Sequence, residues 1–464
     1  MKGRELTWGP VALLSLAIAF VVARSAGAIG DPDLWWHLRL GNELIAQRSL
    51  SAPSGWSTFA TTPWVPTEAV PEIVAATFDR SFGLSGVAWL HAVALCLVLL
   101  SVYVTARFRG IPSLAALGAI VTLIGIGGSL SPRPQLLSFA LLPVVMAAWL
   151  ASEEDLRPRW WLVPMTWLWA LLHGFWVFSV AYGLISAIVI CVERRPGVQA
   201  SSRLVAVPLL SGASVLLSPI GIGVFEAPFA VRDAAPWVLE WGRTTPHNHF
   251  AQATVIMILV TVAAWVARRH RPSMLRIVLL VSAAFWVWYA YRTVAVACLV
   301  VVPLMVEALS PSRAGRSAPR RSEIWALVGV TTVSLAGLGM LLARFPAHVD
   351  GAPTALDPAL DRLPAGTTVL NSYGVGGWLT WRHPDLNQMM DGLATPYPPE
   401  YAADYHSAML GEPGWQQFVV ETGARVAYLD VSSPLIPKLE SIGWKELGTG
   451  YRFELLTAPK GLSD

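Results

Sequence analysis

Residues 160–192 read WWLVPMTWLWALLHGFWVFSVAYGLISAIVICV, an apolar run without a charged side chain, and how it is divided decides the topology of the whole chain. Split at His173-Gly174 into two short membrane spans, 160–173 and 175–192, it leaves every basic cluster on one side. These clusters are Lys2 and Arg4, then Arg107 and Arg109, Arg157 and Arg159, Arg194 and Arg195, Arg268, Arg269 and Arg271, and Arg313 to Arg321. Short cytoplasmic loops carry such an excess of Lys and Arg, so the split places the N-terminus inside. Read as one long helix, the same run flips every later loop, and the rule fails for half the chain.

Outward from this run, further apolar segments lie at about 10–27, 84–106, 111–128, 134–150, 203–219, 251–267, 274–290, 293–309 and 323–343. Each is close to the ~20 residues that cross a hydrocarbon core. Composition agrees: 54% hydrophobic and 14% charged residues with a mean hydropathy of +0.53 would leave a water-soluble surface uncovered. The fold class expected is an all-α polytopic membrane bundle of about eleven transmembrane helices. An exported α/β domain follows, because the tail shows strand-like runs at 367–370, 388–390, 425–429 and 451–456 between Pro and Gly turns. The expected domains are 1–344, with exported loops at 31–83 and 220–250, and 345–464. A net charge of +3, with the basic residues in short loops, argues against nucleic acid as a partner. Cys96, Cys191 and Cys298 each fall in or at the end of a span, where a thiol is a small packing residue.

The exported loops collect the chemistry. Gly30-Asp31-Pro32-Asp33-Leu34-Trp35-Trp36-His37 puts two carboxylates and an imidazole directly after the first span. Beside indole rings a carboxylate can take a proton from a hydroxyl nucleophile, and two together can hold a divalent cation. The plainer alternative is a helix over 34–47 with Asp33 at its N-cap. A helix over 67–80 would set Glu68 and Glu72 four residues apart on one face. Arg133, His173, Glu240 and Arg292 are expected on the same exported side. Arg133 and Arg292 run against the positive-inside trend there, so each calls for an anionic partner, either a ligand phosphate or a carboxylate such as Asp31, Asp33 or Glu240. Trp35, Trp36, Trp56, Trp64, Trp237 and Trp241 suit an interfacial belt. No nucleotide-binding or HExxH motif is present.

Together these residues resemble the integral-membrane glycosyltransferases of the GT-C type, in the bacterial branch whose first loop opens Asp-x-Asp-x-Trp-Trp-His-x-x-x-Gly, here Asp31 to Gly41. Similar proteins carry Arg-Pro-Gln (Arg133 to Gln135), His-Gly (His173-Gly174), Pro-x-Gly (Pro219 to Gly221), Asn-Ser-x-x-x-Gly-Gly-x-Leu (Asn371 to Leu379) and Asp-Gly-Arg. In the last, Leu393 stands here where the pattern has Arg. The resemblance implies sugar transfer from a polyprenyl-phosphate donor to an envelope glycan or protein acceptor outside the cytoplasm, in the inner membrane. It puts the base on Asp31 or Asp33. His37, Glu68, Arg133, His173, Glu240 and Arg292 are the substrate-binding candidates, with Mg or Mn an option at Asp31 and Asp33. The competing expectation is a non-catalytic scaffold or accessory subunit of envelope assembly.

Overall fold

A computed structural model describes residues 8–53, 55–226, 238–269, 271–310, 318–352 and 354–459. Lys2, Arg4, Trp237, Arg313 and Arg316 lie outside the described residues. The helices are α1 (Trp8–Arg24), α2 (Leu34–Gln47), α3 (Ala69–Phe82), α4 (Leu84–Arg107), α5 (Pro112–Gly125), α6 (Gln135–Asp155), α7 (Leu162–Trp169), α8 (Val177–Arg194), α9 (Val198–Val215), α10 (His249–Ala267), α11 (Met274–Tyr289), α12 (Val294–Leu309) and α13 (Arg321–Arg344), with shorter ones in the tail. The chain forms two compact units. One holds residues 1–27, 85–224 and 240–346, the other 28–84, 225–239 and 347–464. The second unit is therefore discontinuous: the loop expected to belong to the membrane domain is built together with the tail.

In the first unit every expected span coincides with a helix. Among the described residues, six helical segments are long and apolar enough to cross a membrane: Leu84–Arg107, Gln135–Asp155, Gly174–Arg194, His249–Ala267, Tyr291–Leu309 and Arg321–Arg344. α1, α5 and α11 are shorter apolar helices. α7 has only eight residues, roughly 12 Å against a core of ~30 Å. α9 opens on Gln199, Ser201, Ser202 and Arg203, so only its later turns are apolar. The chain is a multi-pass membrane protein; among the described residues six helices are long and apolar enough to cross by length and composition alone, and the expected eleven include the shorter helices as well.

The core of this unit is α12, buried from Val294 to Ala308 and surrounded by α5, α6, α10 and α11. Small residues allow that approach, as is usual where lipid gives no hydrophobic drive between helices. A Cβ on Gly118 would lie 2.8 Å from a Val306 methyl, and one on Gly125 would lie 2.4 Å from Cys298 Sγ. A buried triad joins three helix ends: Arg276 in the first turn of α11 pairs with Glu153 near the end of α6 and, at 2.9 Å, with Glu307 near the end of α12. These ends share one side, as the alternation inferred from the basic loops requires.

In the second unit, a five-stranded sheet runs in the order β4-β3-β5-β7-β6. β3 (Thr368–Asn371), β4 (Asn387–Gln388) and β5 (Val426–Asp430) are parallel neighbours, and β6 (Lys445–Gly450) and β7 (Phe453–Thr457) are antiparallel. Leu370, Met389, Tyr405, Ala427, Leu429, Leu439, Trp444 and Leu456 form its core. The start of the loop is sewn to the start of the tail, because β1 (Ala28–Ile29) pairs in parallel with β2 (His348–Val349). Further along the loop, the Ser57 hydroxyl donates to the Gln388 carbonyl, and the Asn387 amide meets Thr58.

Candidate functional site

The opening motif, the Gly-Gly element and the Asp-Gly element are distant in sequence but share one corner of the second unit. α2 begins at Leu34, with Asp33 at its N-cap position. Asp33 makes no side-chain cap. Its N–H instead donates to Asp31 Oδ1 at 2.8 Å, which closes the turn that presents both carboxylates at the helix start. Asp31 is buried and Asp33 half-buried. Against this turn sits the tail helix α15 (Tyr373–Arg382), numbered after the short α14 (Asp357–Leu360). A Cβ on Gly377 would stand 2.4 Å from the Pro32 carbonyl, and one on Gly376 would stand 2.0 Å from the Met390 carbonyl. On Gly392 it would be 2.7 Å from Asp33 Oδ1. At Gly376 and Gly377 backbone passes against backbone, and at Gly392 the Asp33 and Trp36 side chains take the space.

Trp35 and Trp36, expected in an interfacial belt, are instead buried in this unit. Trp35 meets Trp378 edge-on with ring centroids 4.9 Å apart, and lies 5.1 Å from Trp381. Gly41, last of the opening motif, allows α3 to cross α2, since a Cβ there would fall 2.1 Å from the Glu72 carbonyl. The crossing brings His37 Nδ1 to 2.9 Å from Glu72 Oε1 and 3.8 Å from Glu68 Oε2. Glu68 precedes α3 rather than lying within it, yet it converges with Glu72 as the spacing suggested. Burial, then the Glu68 charge, hold the Glu72 carboxyl well above the ordinary carboxylate value. Among the described residues, these three form the group of His, Cys, Asp and Glu ligand atoms close enough to share an ion, all within 4.8 Å of one another. Asp31 and Asp33 are not in it.

Asp391 is buried beside this corner. It accepts from Tyr397 Oη and the Leu393 N–H at 3.0 Å each, but burial outweighs both and pushes its carboxyl up to about 6. The folded-state value lies above the unfolded one, so the linked stabilisation is complete below about pH 4 and is lost as pH rises through 6, about 3 kcal/mol in all. Asp391→Asn removes that titration. The stability of wild type relative to the variant, followed by denaturant unfolding, should fall between pH 4 and 7; a flat difference would contradict the buried carboxyl.

The remaining candidates meet in the first unit. Glu240 bridges the two arginines, with Oε1 2.8 Å from Arg133 Nη1 and Oε2 3.6 Å from Arg292 Nη1. Two guanidinium groups share one carboxylate. Arg292 also lies over Phe175 and Trp241, 5.9 and 5.7 Å from their ring centroids, and its buried Nε has no hydrogen-bond partner. His173 serves the backbone: Nδ1 accepts the Phe175 N–H at 3.1 Å and lies 3.0 Å from Ser138 Oγ, capping the short turn that holds Phe175 under Arg292. This fixes the break within 160–192.

Sequence reasoning missed a polar cavity of about 310 Å³ in the second unit, lined by Arg39, Glu43, Gln47, Trp56, Thr380 and Gln388. Trp56 Nε1 donates to Glu43 Oε2 at 2.9 Å, and Arg39 pairs with Glu43.

This is a multi-pass membrane protein whose fold is similar to those of solved oligosaccharyltransferase and arabinofuranosyltransferase structures. No protein-family model and no curated protein matches the sequence. Among solved structures, the archaeal oligosaccharyltransferase AglB from Archaeoglobus fulgidus, in complex with an inhibitory peptide and a dolichol-phosphate, superposes with a TM-score of 0.56. It is 12% identical, over 98% of this chain and 75% of its own. ArnT from Cupriavidus metallidurans, bound to undecaprenyl phosphate, gives 0.55 at 15% identity, over 99% and 100%. The arabinofuranosyltransferase AftD from Mycobacteria gives 0.50 at 14%, over 99% and 40%.

Proposed function

We propose that this chain is a membrane glycosyltransferase that moves a sugar from a polyprenyl-phosphate-linked donor to an envelope acceptor on the non-cytoplasmic side of the inner membrane. The observation that carries the reading is the Asp31-Asp33 turn, held at the start of α2 by the Gly-Gly and Asp-Gly elements within a GT-C fold. Two of the structurally similar proteins are described with dolichol-phosphate or undecaprenyl phosphate. Asp31 or Asp33 takes the proton of the acceptor hydroxyl as its oxygen attacks the anomeric carbon, and the polyprenyl phosphate leaves with the bonding electrons. Arg133 and Arg292 suit the phosphate, whose developing charge a guanidinium fork stabilises. The basic loops support an N-terminus in the cytoplasm and the tail outside; a reporter fused after residue 350 should be active only on the exported side.

The test is transfer of labelled sugar from a panel of polyprenyl-phosphate donors to membrane acceptors. Wild type should transfer from at least one donor. Arg292→Met should raise the KM for that donor about 10–100-fold, the equivalent of one charge-assisted contact of about 1.5–3 kcal/mol. Folded protein that transfers from none of the donors would instead indicate an accessory or scaffold role.

A further inference from the structure

The group formed by His37, Glu68 and Glu72 is built unlike an ordinary ion pair. Glu72 is 1% exposed, and while its Oε1 meets His37 Nδ1, its Oε2 is buried with no hydrogen-bond partner. Neither protonation state satisfies that carboxyl. Ionised, it is a buried charge beside a second carboxylate; protonated on Oε2, it has a donor with nothing to receive it. A cation answers both conditions, because it takes an electron pair from each carboxylate and cancels their repulsion. One imidazole nitrogen and two carboxylates also select among cations. Mg²⁺ prefers six oxygen ligands, whereas a borderline-soft ion with a tetrahedral preference accepts this mixed set and keeps a fourth position for water.

We infer that His37 Nδ1, Glu68 and Glu72 bind one zinc-type divalent cation that clamps α2 to α3. The Nδ1 proton leaves to solvent as the ion arrives, and the imidazole is held as its Nε2–H tautomer. The clamp sits one helical turn beyond Asp33 on the same helix, so the ion would fix the end of α2 that carries the aspartate turn. This site is distinct from the Asp31 and Asp33 pair and does not depend on the transferase reading.

Untagged full-length protein in detergent, stripped with chelator and desalted, is titrated with Zn²⁺ and assayed for bound metal by atomic emission after gel filtration. One equivalent should be retained and Tm should rise by several degrees. Co²⁺ should replace it with visible d–d absorption of tetrahedral strength. Glu68→Gln, at the most exposed of the three positions, should weaken binding at least tenfold while leaving the metal-free Tm unchanged; Glu72→Gln should abolish retention. No retained metal in wild type, or wild-type retention in both variants, would overturn the site, and neither result bears on sugar transfer.

Discussion

Asp31→Asn is expected to reduce sugar transfer by about 10²–10⁴-fold, the range a positioned general base contributes, with the protein still folded. The amide retains an oxygen that can accept the Asp33 N–H, now received by Asp31 Oδ1 at 2.8 Å, so the turn at the start of α2 survives. It loses the capacity to take a proton. Asp33→Asn is the companion measurement: its side chain lies against Gly392 and makes no helix cap, and the amide keeps the shape of the carboxylate. A fall of that size in either variant, with KM for donor little changed, locates the base. Full activity in both would remove the base from this loop.

The largest effect on stability should come from Gly376→Ala. Its Cβ would lie 2.0 Å from the Met390 carbonyl oxygen and 2.8 Å from Asp391 Cα, both main-chain atoms that cannot swing aside. Over-packing typically costs about 1–3 kcal/mol where side chains can shift, and a backbone clash belongs at or beyond the top of that range. Two residues earlier on α15, a Cβ on Gly374 meets nothing within 4 Å. Gly374→Ala should therefore be neutral, or stabilising by roughly 0.5–1 kcal/mol through helix propensity. Denaturant unfolding of the two variants side by side checks the contrast, and equal effects would mean that the tail helix does not press on the Met390-Asp391 backbone.

The parts of the fold legible in the sequence were those written as periodicity or charge. The helix expected over 34–47 is present as Leu34–Gln47, and the strands expected over 367–370, 388–390, 425–429 and 451–456 are present as Thr368–Asn371, Asn387–Gln388, Val426–Asp430 and Phe453–Thr457. β6 was missed because Lys445-Glu446-Leu447-Gly448-Thr449-Gly450 is a mostly exposed edge strand without apolar alternation. The membrane helices were legible as positions. α7 is the instructive case, since an apolar run marks where a chain avoids water and not how far a continuous helix extends.

For the candidate site, the sequence revealed residue types but not their partners. Arg133 and Arg292 called for an anion, and Glu240 serves both, in the case of Arg133 across 107 residues, a pairing that no local pattern encodes. Glu68 and Glu72 were recognised as a pair, yet their meeting with His37 depends on Gly41, whose missing side chain is what lets α3 lie so close to α2. The Trp35 and Trp36 rings looked interfacial because aromatic residues beside a span suit a membrane boundary and a buried contact equally well; Trp378 and Trp381 of the tail decide for the second at Trp35, and Leu40, Leu44 and Ala69 at Trp36.

The short β1–β2 pairing has a consequence in time. Ile29 leaves the ribosome roughly three hundred residues before Val349, and at about 5–20 residues per second the gap is on the order of tens of seconds. Throughout that interval the membrane helices are being threaded one after another, while α2 and α3 wait without the tail elements that cover Trp35 and fill the Asp31 turn. The loop must persist half-built, and a ribosome that stalls before residue 347 leaves its aromatic face uncovered, the kind of surface that chaperones and quality-control proteases recognise.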